Sequence, residues 1–375
     1  MRQCAMSSYR AQLLHLRRAA VQALGAYPLS DPIVQFIGHG ENTTFKVTAR
    51  TEAGSVERFL LRVHRPSRHG RFVDSGAAID SELRWLMALR AETDLAVPRP
   101  LPTRNGELTM TAETRICSVL HWMDGRRHSR SPRPGHLRLL GNAMARLHDH
   151  ADTWTRPTDF VRIRWDWETF FGDTMQYGGI NAAQVWDLLP DGLRRTFDRV
   201  AKSARRAMST LGDGPDAFGL VHADLHLDNA LFTGGEVKLI DFDDSGTGYR
   251  IYDLAVALWE LRHRPDYEQF RTALIDGYSA QRALPAAQLD HLDTFIAVRE
   301  VAFGLWFVGT AQVNPVFHSR LPRELAGIER SLATLLPCAE RSCRGSPLGW
   351  KWGLLSAVDL PETYIRCARE RDSRG

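Results

Sequence analysis

Apolar positions along the chain follow two periods, and the periods are unevenly distributed. Residues 7–26 carry Leu13, Leu16, Ala20, Val21 and Leu24 at helical intervals, which predicts an amphipathic lead helix. Ile33–Ile37 and Phe45–Ala49 then read as paired strands joined through residues 38–44. A third strand covers Phe59–His64. Alternation puts Leu60, Arg62 and His64 on one face and Phe59, Leu61 and Val63 on the other. Ile79, Leu83, Leu86 and Met87 predict a helix over 76–91, with Glu82 beside the apolar stripe. Residues 115–123 form a further strand running to the turn Asp124-Gly125. Beyond it the helical period dominates, at 136–150, 184–211, 266–283, 286–313 and 321–336. From Pro337 no period is visible.

Strands crowd the first third and helices the remainder, so the expected class is α+β in two parts. The boundaries fall at 1–120 (with lead helix 7–26), a connector at 121–125, a second part at 126–337 and a tail at 338–375. At 375 residues the chain is long enough for two such cores. A hydrophobic share of 43% and a charged share of 25% are those of a globular protein. The net charge of +4 does not indicate a nucleic-acid partner. Met1–Arg18 has charges throughout and no apolar core, and no uninterrupted apolar run is long enough for a membrane span, so the expected location is cytoplasmic. Five widely spaced cysteines agree with a reducing compartment. Cys338 and Cys343 lack the second pair that a zinc site would need. The pattern specifies no oligomeric state.

One stretch departs from simple burial. In Gly219–Asp244, GLVHADLHLDNALFTGGEVKLIDFDD, two apolar strand-like runs flank Gly234-Gly235, and acids stand outside both runs. A hairpin brings its ends together, so Asp224, Asn229 and Asp241 are expected to converge. Phosphoryl transfer needs such a group: a carboxylate facing the incoming hydroxyl and two oxygen ligands for Mg²⁺. The spacing H-x-D-L-x-x-x-N matches the kinase catalytic loop, and Ile-Asp-Phe-Asp stands where kinases carry D-F-G.

Other candidates take meaning from this one. Gly38 and Gly40, followed by Asn42, suit a loop that covers phosphates with backbone N–H groups; a plain hairpin loop is the alternative. Arg62 and Glu82 are candidates for the cation and acid that steady nucleotide phosphates, with an ordinary surface ion pair as the other reading. Trp122 and Met123 fall where a hinge would meet an adenine edge, though both also suit a core. His148 reads as a satisfied core histidine. Trp165 and Trp167, in an irregular segment with Trp154, either line an acceptor pocket or anchor a long loop.

Taken together, residues 30–335 resemble the aminoglycoside phosphotransferase, choline kinase and homoserine kinase-like superfamily, which has the protein kinase-like fold. V-H-A-D-L-H-L-D-N with I-D-F-D-D is similar to the branch holding homoserine kinase-like enzymes and the bacterial stress-response kinase. The resemblance implies a small N-terminal lobe of antiparallel sheet plus helix, and a larger, mostly helical C-terminal lobe. It implies Asp224 as catalytic base, Asn229 and Asp241 as Mg²⁺ ligands, and His222 and Asp253 as supports. ATP, or GTP, would be the co-substrate. Two departures stand out: Arg62 replaces the usual lysine, and Thr43 the third glycine of the phosphate loop. An always-charged guanidinium can still grip phosphate oxygens.

The acceptor is open. Between Pro215 and Arg264 there are nine acids and four bases, a balance of −5, with Asp243, Asp244 and Glu260 beyond what the catalytic group needs. Such a surface suits an amine-bearing alcohol or aminoglycoside. Asp243 and Asp244 completing the metal shell, or pairing with arginines, accounts for it equally. A small hydroxylated acceptor is therefore expected, with a protein serine or threonine as the next option. Neither nucleic acid nor membrane is expected as a partner. A pseudokinase that binds nucleotide without turnover, and a metal-dependent hydrolase using His222, Asp224, His226 and Asp228, are the competing classes.

Overall fold

Helix α1 (Arg2–Leu24) covers one face of a five-stranded antiparallel sheet of order β1-β2-β3-β5-β4. The strands are β1 (Leu29–His39), β2 (Thr43–Thr51), β3 (Val56–Val63), β4 (Thr109–Ala112) and β5 (Arg115–His121). The computed structural model describes residues 2–40, 42–65, 74–177 and 179–342. The chain divides into two compact units: this sheet with α1 belongs to the first, which includes Leu101–Trp122, and the second takes the helix before Leu101 and the chain again from Met123.

The core of the first unit shows why the sheet forms. Phe45 and Val47 of β2, Phe59, Leu61 and Val63 of β3, and Cys117 and Val119 of β5 all point at α1. The alternation read in Phe59–His64 therefore places Arg62 on the opposite face. The helix stripe differs from the expected one. Leu16, Ala19, Ala20, Ala23 and Leu24 are buried, whereas Val21 faces solvent at 51% exposure. Alanines make that stripe because they let the helix lie close to the sheet. The β1–β2 connection is also tighter than expected. Gly38 pairs with Thr44 and His39 with Thr43, so only residues 40–42 remain outside the strands.

In the second unit, α2 (Ser75–Glu92) starts at Asp74, whose side chain accepts from Ala77 N at 2.7 Å. Its Trp85 ring meets Phe242 edge-on at 5.6 Å. Helix α3 (Pro134–Thr153) is followed by β6 (Ile163–Trp165), the short α4 (Trp167–Phe171), β7 (Gln176–Tyr177), β8 (Ile180–Asn181) and α5 (Ala182–Asp187). The helix expected over 184–211 is interrupted by Pro190, and α6 runs from Asp191 to Leu211. Proline has no N–H to continue the ladder, so it opens the new helix instead. Strand β9 (Phe218–Val221) and the hairpin β10 (Ala230–Thr233) and β11 (Glu236–Leu239) come next, then β12 (Gly246–Tyr249). β12 lies between β6, parallel, and β9, antiparallel.

The remainder is helical: α7 (Arg250–Trp259), α8 (Tyr267–Ser279), α9 (Ala286–Leu289), α10 (Leu292–Val313), α11 (Pro315–His318) and α12 (Leu321–Ser342). α3 packs along α8 at glycines: a Cβ on Gly277 would stand 2.1 Å from the Arg138 carbonyl, and one on Gly141 2.2 Å from that of Leu274. α10 packs on α6, α7 and α12. Among the described residues, Ala286–Val313 is the one helical stretch long and apolar enough to cross a membrane, and most of it is buried in protein. α12 carries the chain past the expected end of the helical part to Ser342; the tail beyond, with Cys343, Trp350 and Trp352, lies outside the described residues, as does the side chain of Cys338.

Candidate active site

The hairpin β10–β11 sets the geometry of the candidate site. Ala230 pairs with Leu239 and Thr233 with Glu236, across a two-residue turn in which Gly234 and Gly235 both have positive φ, +58° and +87°. This is the turn that a Gly-Gly pair permits without a Cβ penalty. At the open end, Ile240 N donates to Asn229 O at 2.9 Å, which sets Asp241 beside the segment that carries Asn229. Asn229 Nδ2 donates both to Asp224 O, at 2.9 Å, and to Asp224 Oδ2, at 2.8 Å. The amide oxygen of Asn229 is thereby turned away from Asp224. Asp241 is exposed and sits in the left-handed region (φ +66°) at the end of its strand.

The loop between β9 and β10 is not the continuous strand that four alternating ligands would require. After Val221 the chain passes through Ala223, at φ +65°, and a short 3₁₀ turn at Leu227–Asn229. A left-handed alanine costs about 1–2 kcal/mol and must be held. Asp253, fully buried on α7, holds it: its carboxylate accepts from Ala223 N at 2.7 Å, His222 N at 2.9 Å and His148 Nε2 at 3.0 Å. His148 Nδ1 in turn lies 2.9 Å from the Tyr278 hydroxyl. Burial holds the His148 pKa below its ordinary value despite Asp253. A neutral ring then donates from Nε2 to Asp253 and accepts from Tyr278. His222 is likewise buried and kept neutral by burial. Its Nε2 donates to Ile240 O at 3.1 Å, and Asp224 N approaches its Nδ1 at 3.4 Å.

The charges at Asp224 come from several elements. Arg299 Nη2, from α10, donates to Asp224 Oδ1. His226 Nε2 lies 3.6 Å from Asp224 Oδ2, and its Nδ1 lies 3.7 Å from Glu260 Oε2. Burial alone would raise the Asp224 carboxyl; Arg299 and then His226 outweigh it and hold the group well below the usual carboxylate range. Burial lowers His226, but Asp224 and Glu260 prevail and push it up to about 10, so it is a cation at neutral pH. His226, Asp228 and Glu260 offer ligand atoms within 4.8 Å of one another. Asp228 is also engaged by Ser129 Oγ at 2.5 Å and, through its carbonyl, by Arg127 Nε at 2.8 Å.

Arg299 and Arg162 are the residues that sequence reasoning missed. Arg162 donates to the carbonyls of Ala78, Phe242, Asp243 and Ser245, so one guanidinium ties α2 to the segment after Asp241. A signal for Arg299 existed: Arg299-Glu300 is the only charged pair inside the apolar run Phe295–Phe303. Trp165 and Trp167 have structural anchors. Trp165 is 7% exposed and donates its indole N–H to Asp244 O at 2.8 Å, while Trp167 donates to Ala201 O at 2.9 Å and carries Arg205 over its ring. Asp243 is buried and Asp244 half-buried, both in the turn that follows Asp241.

In the first unit, Gly38 pairs with Thr44 one step before the strand pairing ends at His39–Thr43, Gly40 N donates to Asn42 O at 3.1 Å, and Asn42 Oδ1 accepts from Arg65 N at 3.2 Å. Arg62 is 4% exposed, on the sheet face away from α1. Trp122 N donates to Arg58 O, and Lys46 Nζ stands 5.3 Å over the Trp122 ring. In the second unit, Glu82 is buried on α2 and Met123 is half-buried.

The sequence pattern described as the phosphotransferase enzyme family matches residues 33–289, well over half of the chain. The chain belongs to that family. Among curated proteins, a homoserine kinase of Nitrobacter winogradskyi is 30% identical over 256 residues, 66% of this chain and 74% of its own length. The amicoumacin kinase of Bacillus subtilis is 24% identical over 311 residues, 77% of this chain and 84% of its own. Among solved structures, a microcompartment-associated aminopropanol kinase superposes with a TM-score of 0.66 at 29% identity, covering 86% of this chain and 94% of that one. Family membership makes the chain a kinase-type phosphotransferase of the small-molecule group, and the fold is the two-lobed protein kinase-like one.

Proposed function

We propose that this phosphotransferase moves the γ-phosphoryl group of ATP to a hydroxyl of a small, amine-bearing acceptor. The observation that carries the reading is the arrangement of Asp224, Asn229 and Asp241 at the open end of one hairpin, with Asp224 held from three sides. Asp224 would accept the hydroxyl hydrogen bond and orient the acceptor oxygen. That oxygen forms the new bond to phosphorus as the bond to the β-phosphate oxygen breaks; ADP leaves and the acceptor proton passes to the Asp224 carboxylate.

The donor set suits a hard divalent cation: an exposed carboxylate on Asp241 and an amide oxygen on Asn229 turned away from Asp224. These two residues would hold Mg²⁺, which supplies neutralisation of phosphate charge. Arg62, Gly38, Gly40 and Asn42 are the proposed nucleotide contacts of the first unit, with Trp122 at its end. In the second unit Glu82 and Met123 have that part, and Asp243 and Asp244 are proposed to face the metal or acceptor. His222 and Asp253 act through backbone placement alone.

The test is ATP consumption by the purified chain against a panel of amino alcohols, hydroxylated amino acids, aminoglycosides and sugars, beside Asp224→Asn. The variant is expected to lose turnover by about 10²–10⁴-fold while still binding ATP in calorimetry. Equal turnover in the two proteins, or ATP binding with no transfer to any acceptor, would sink the proposal.

A further inference from the structure

In the second unit a further cleft opens where the last two turns of α6 meet the corner between α9 and α10. Arg205, Arg206 and Ser209 line it from α6, and Ala287, Asp290 and His291 from the corner. None of them belongs to the group around Asp224. Its volume of about 590 Å³ is that of a small-molecule site rather than of a single ion. Arg250, Arg262, Arg282 and Arg299 each face a carboxylate, whereas neither Arg205 nor Arg206 has an ion-pair partner among the described residues. Arg205 is held by its face instead. Its guanidinium carbon stands 3.4 Å from the centre of the Trp167 ring, and Trp167 is fixed by its indole bond to Ala201 O. The N–H edge of Arg205 is left for an acceptor in its plane. Arg206 spends one N–H on Ser203 Oγ, at 3.1 Å. His291 is the buried member of the lining, 6% exposed, and its Nδ1 has no hydrogen-bond partner. Burial holds the ring's pKa below its ordinary value. An imidazole nitrogen buried without a partner costs folding free energy, and a ligand that supplies the partner recovers it.

We infer that this cleft is a binding site for a small polyhydroxylated phosphomonoester, a ligand of the sugar phosphate kind. A phosphomonoester carries close to two negative charges at neutral pH, which the paired guanidinium groups of Arg205 and Arg206 match through charge-assisted bonds. The His291 imidazole completes the phosphate contacts with a ring N–H. The rest of the lining sets the rest of the ligand. Asp290 repels a second anionic group and accepts from hydroxyls, and Ser209 can donate or accept. Ala287 is the one aliphatic lining residue, and no Trp, Tyr or Phe joins it. A lipid tail therefore has no apolar wall to lie on, and a nucleobase has no aromatic face to stack against. The Trp167 platform holds Arg205 before the ligand arrives, which reduces the ordering cost of binding. The site owes nothing to the acceptor of the transfer reaction and stands apart from that reading.

Calorimetric titration of the full chain with glucose 6-phosphate, glucose and inorganic phosphate tests the idea. Glucose 6-phosphate is expected to bind once per chain and glucose not at all. Inorganic phosphate should bind at least about 10-fold more weakly than the ester, having no hydroxylated body for Asp290 and Ser209. Arg205→Gln and Arg206→Gln should each weaken glucose 6-phosphate by about 10–10²-fold while leaving the affinity for magnesium-ATP unchanged. Asp290→Ala should weaken glucose 6-phosphate but not inorganic phosphate. Arg205 and Arg206 are exposed, so their variants keep the test decisive even where a substitution of the buried His291 fails to fold. No binding of glucose 6-phosphate at about 10 mM would overturn the inference. So would wild-type affinity in an Arg205→Gln/Arg206→Gln double variant, or equal affinity for the ester and for inorganic phosphate, which would reduce the cleft to an adventitious anion site. Binding abolished by Asp224→Asn and untouched by the arginine variants would place the ligand at the Asp224 site, and would overturn it as well.

Discussion

Replacing Asp253 by Asn isolates the support under the loop that carries Asp224. Oδ2 of Asp253 accepts from His222 N and His148 Nε2, and Oδ1 from Ala223 N, at 2.7–3.0 Å and without solvent. An amide keeps one oxygen, so whichever way it turns, its NH₂ faces at least one of these donors. In the better orientation the Ala223 bond is lost, a charge-assisted bond worth about 1.5–3 kcal/mol, and a buried N–H is left unsatisfied at a further 1–3. The expected loss is about 3–5 kcal/mol, out of the 5–15 typical of a folded chain. The same bond holds the left-handed Ala223, and Asp224 is the next residue, so turnover should fall along with stability. Tyr278→Phe provides the contrast. It removes the O–H donor to His148 at the far end of the chain of bonds and should cost about 1–2 kcal/mol while leaving kcat near wild type. Urea unfolding followed by tryptophan fluorescence gives the stabilities, and rates under fully folded conditions give the turnover. An Asp253→Asn protein within about 0.5 kcal/mol of wild type, or a Tyr278→Phe protein less stable than it, would refute the argument.

Two further outcomes are expected. Gly277→Ala places a Cβ 2.1 Å from the Arg138 carbonyl, forcing α3 and α8 apart at a cost of about 1–3 kcal/mol; an unchanged urea midpoint would mean that the helices slide freely. Cys117, whose thiol burial pushes up to about 12, should remain unalkylated at pH 8 in the native protein and react only on unfolding, as peptide mass spectrometry would show.

The parts of the candidate site that could be read from the sequence are those that a hairpin brings together over short range. Asp224 and Asn229 are five residues apart, and Gly234-Gly235 announces the turn that returns the chain to Asp241. Period alone identified the helices but not their breaks. The stretch 184–211 reads as continuous because its apolar spacing carries across Pro190, and 286–313 because it carries across Asp290 and His291, which separate α9 from α10. Val21 fits the apolar spacing of α1 as well as Ala19 or Ala23 does, and only packing against the sheet distinguishes them. Arg299 was not legible because 75 residues separate it from Asp224 and no local rule links them. Residue type alone left Trp165 and Trp167 as either pocket lining or loop anchors, and their indole N–H groups are bonded to backbone carbonyls.

Arg299 and Glu300 are neighbours on α10 with different duties. Arg299 faces Asp224, while Glu300 accepts from Trp259 Nε1 at 2.7 Å, from Ser331 Oγ on α12 at 2.8 Å, and from Arg262. Both residues lie beyond position 289, where the match to the family ends. The loop that carries Asp224 thus lies inside the matched segment, whereas the side chain braced against its carboxylate comes from beyond it, next to a residue anchored by a serine on the last described helix. Placement past position 289 puts brace and anchor together on one C-terminal helical stretch. It also sets a boundary for dissection: a chain cut after the family match would keep Asp224, Asn229 and Asp241 but lose the cation that holds the first of them.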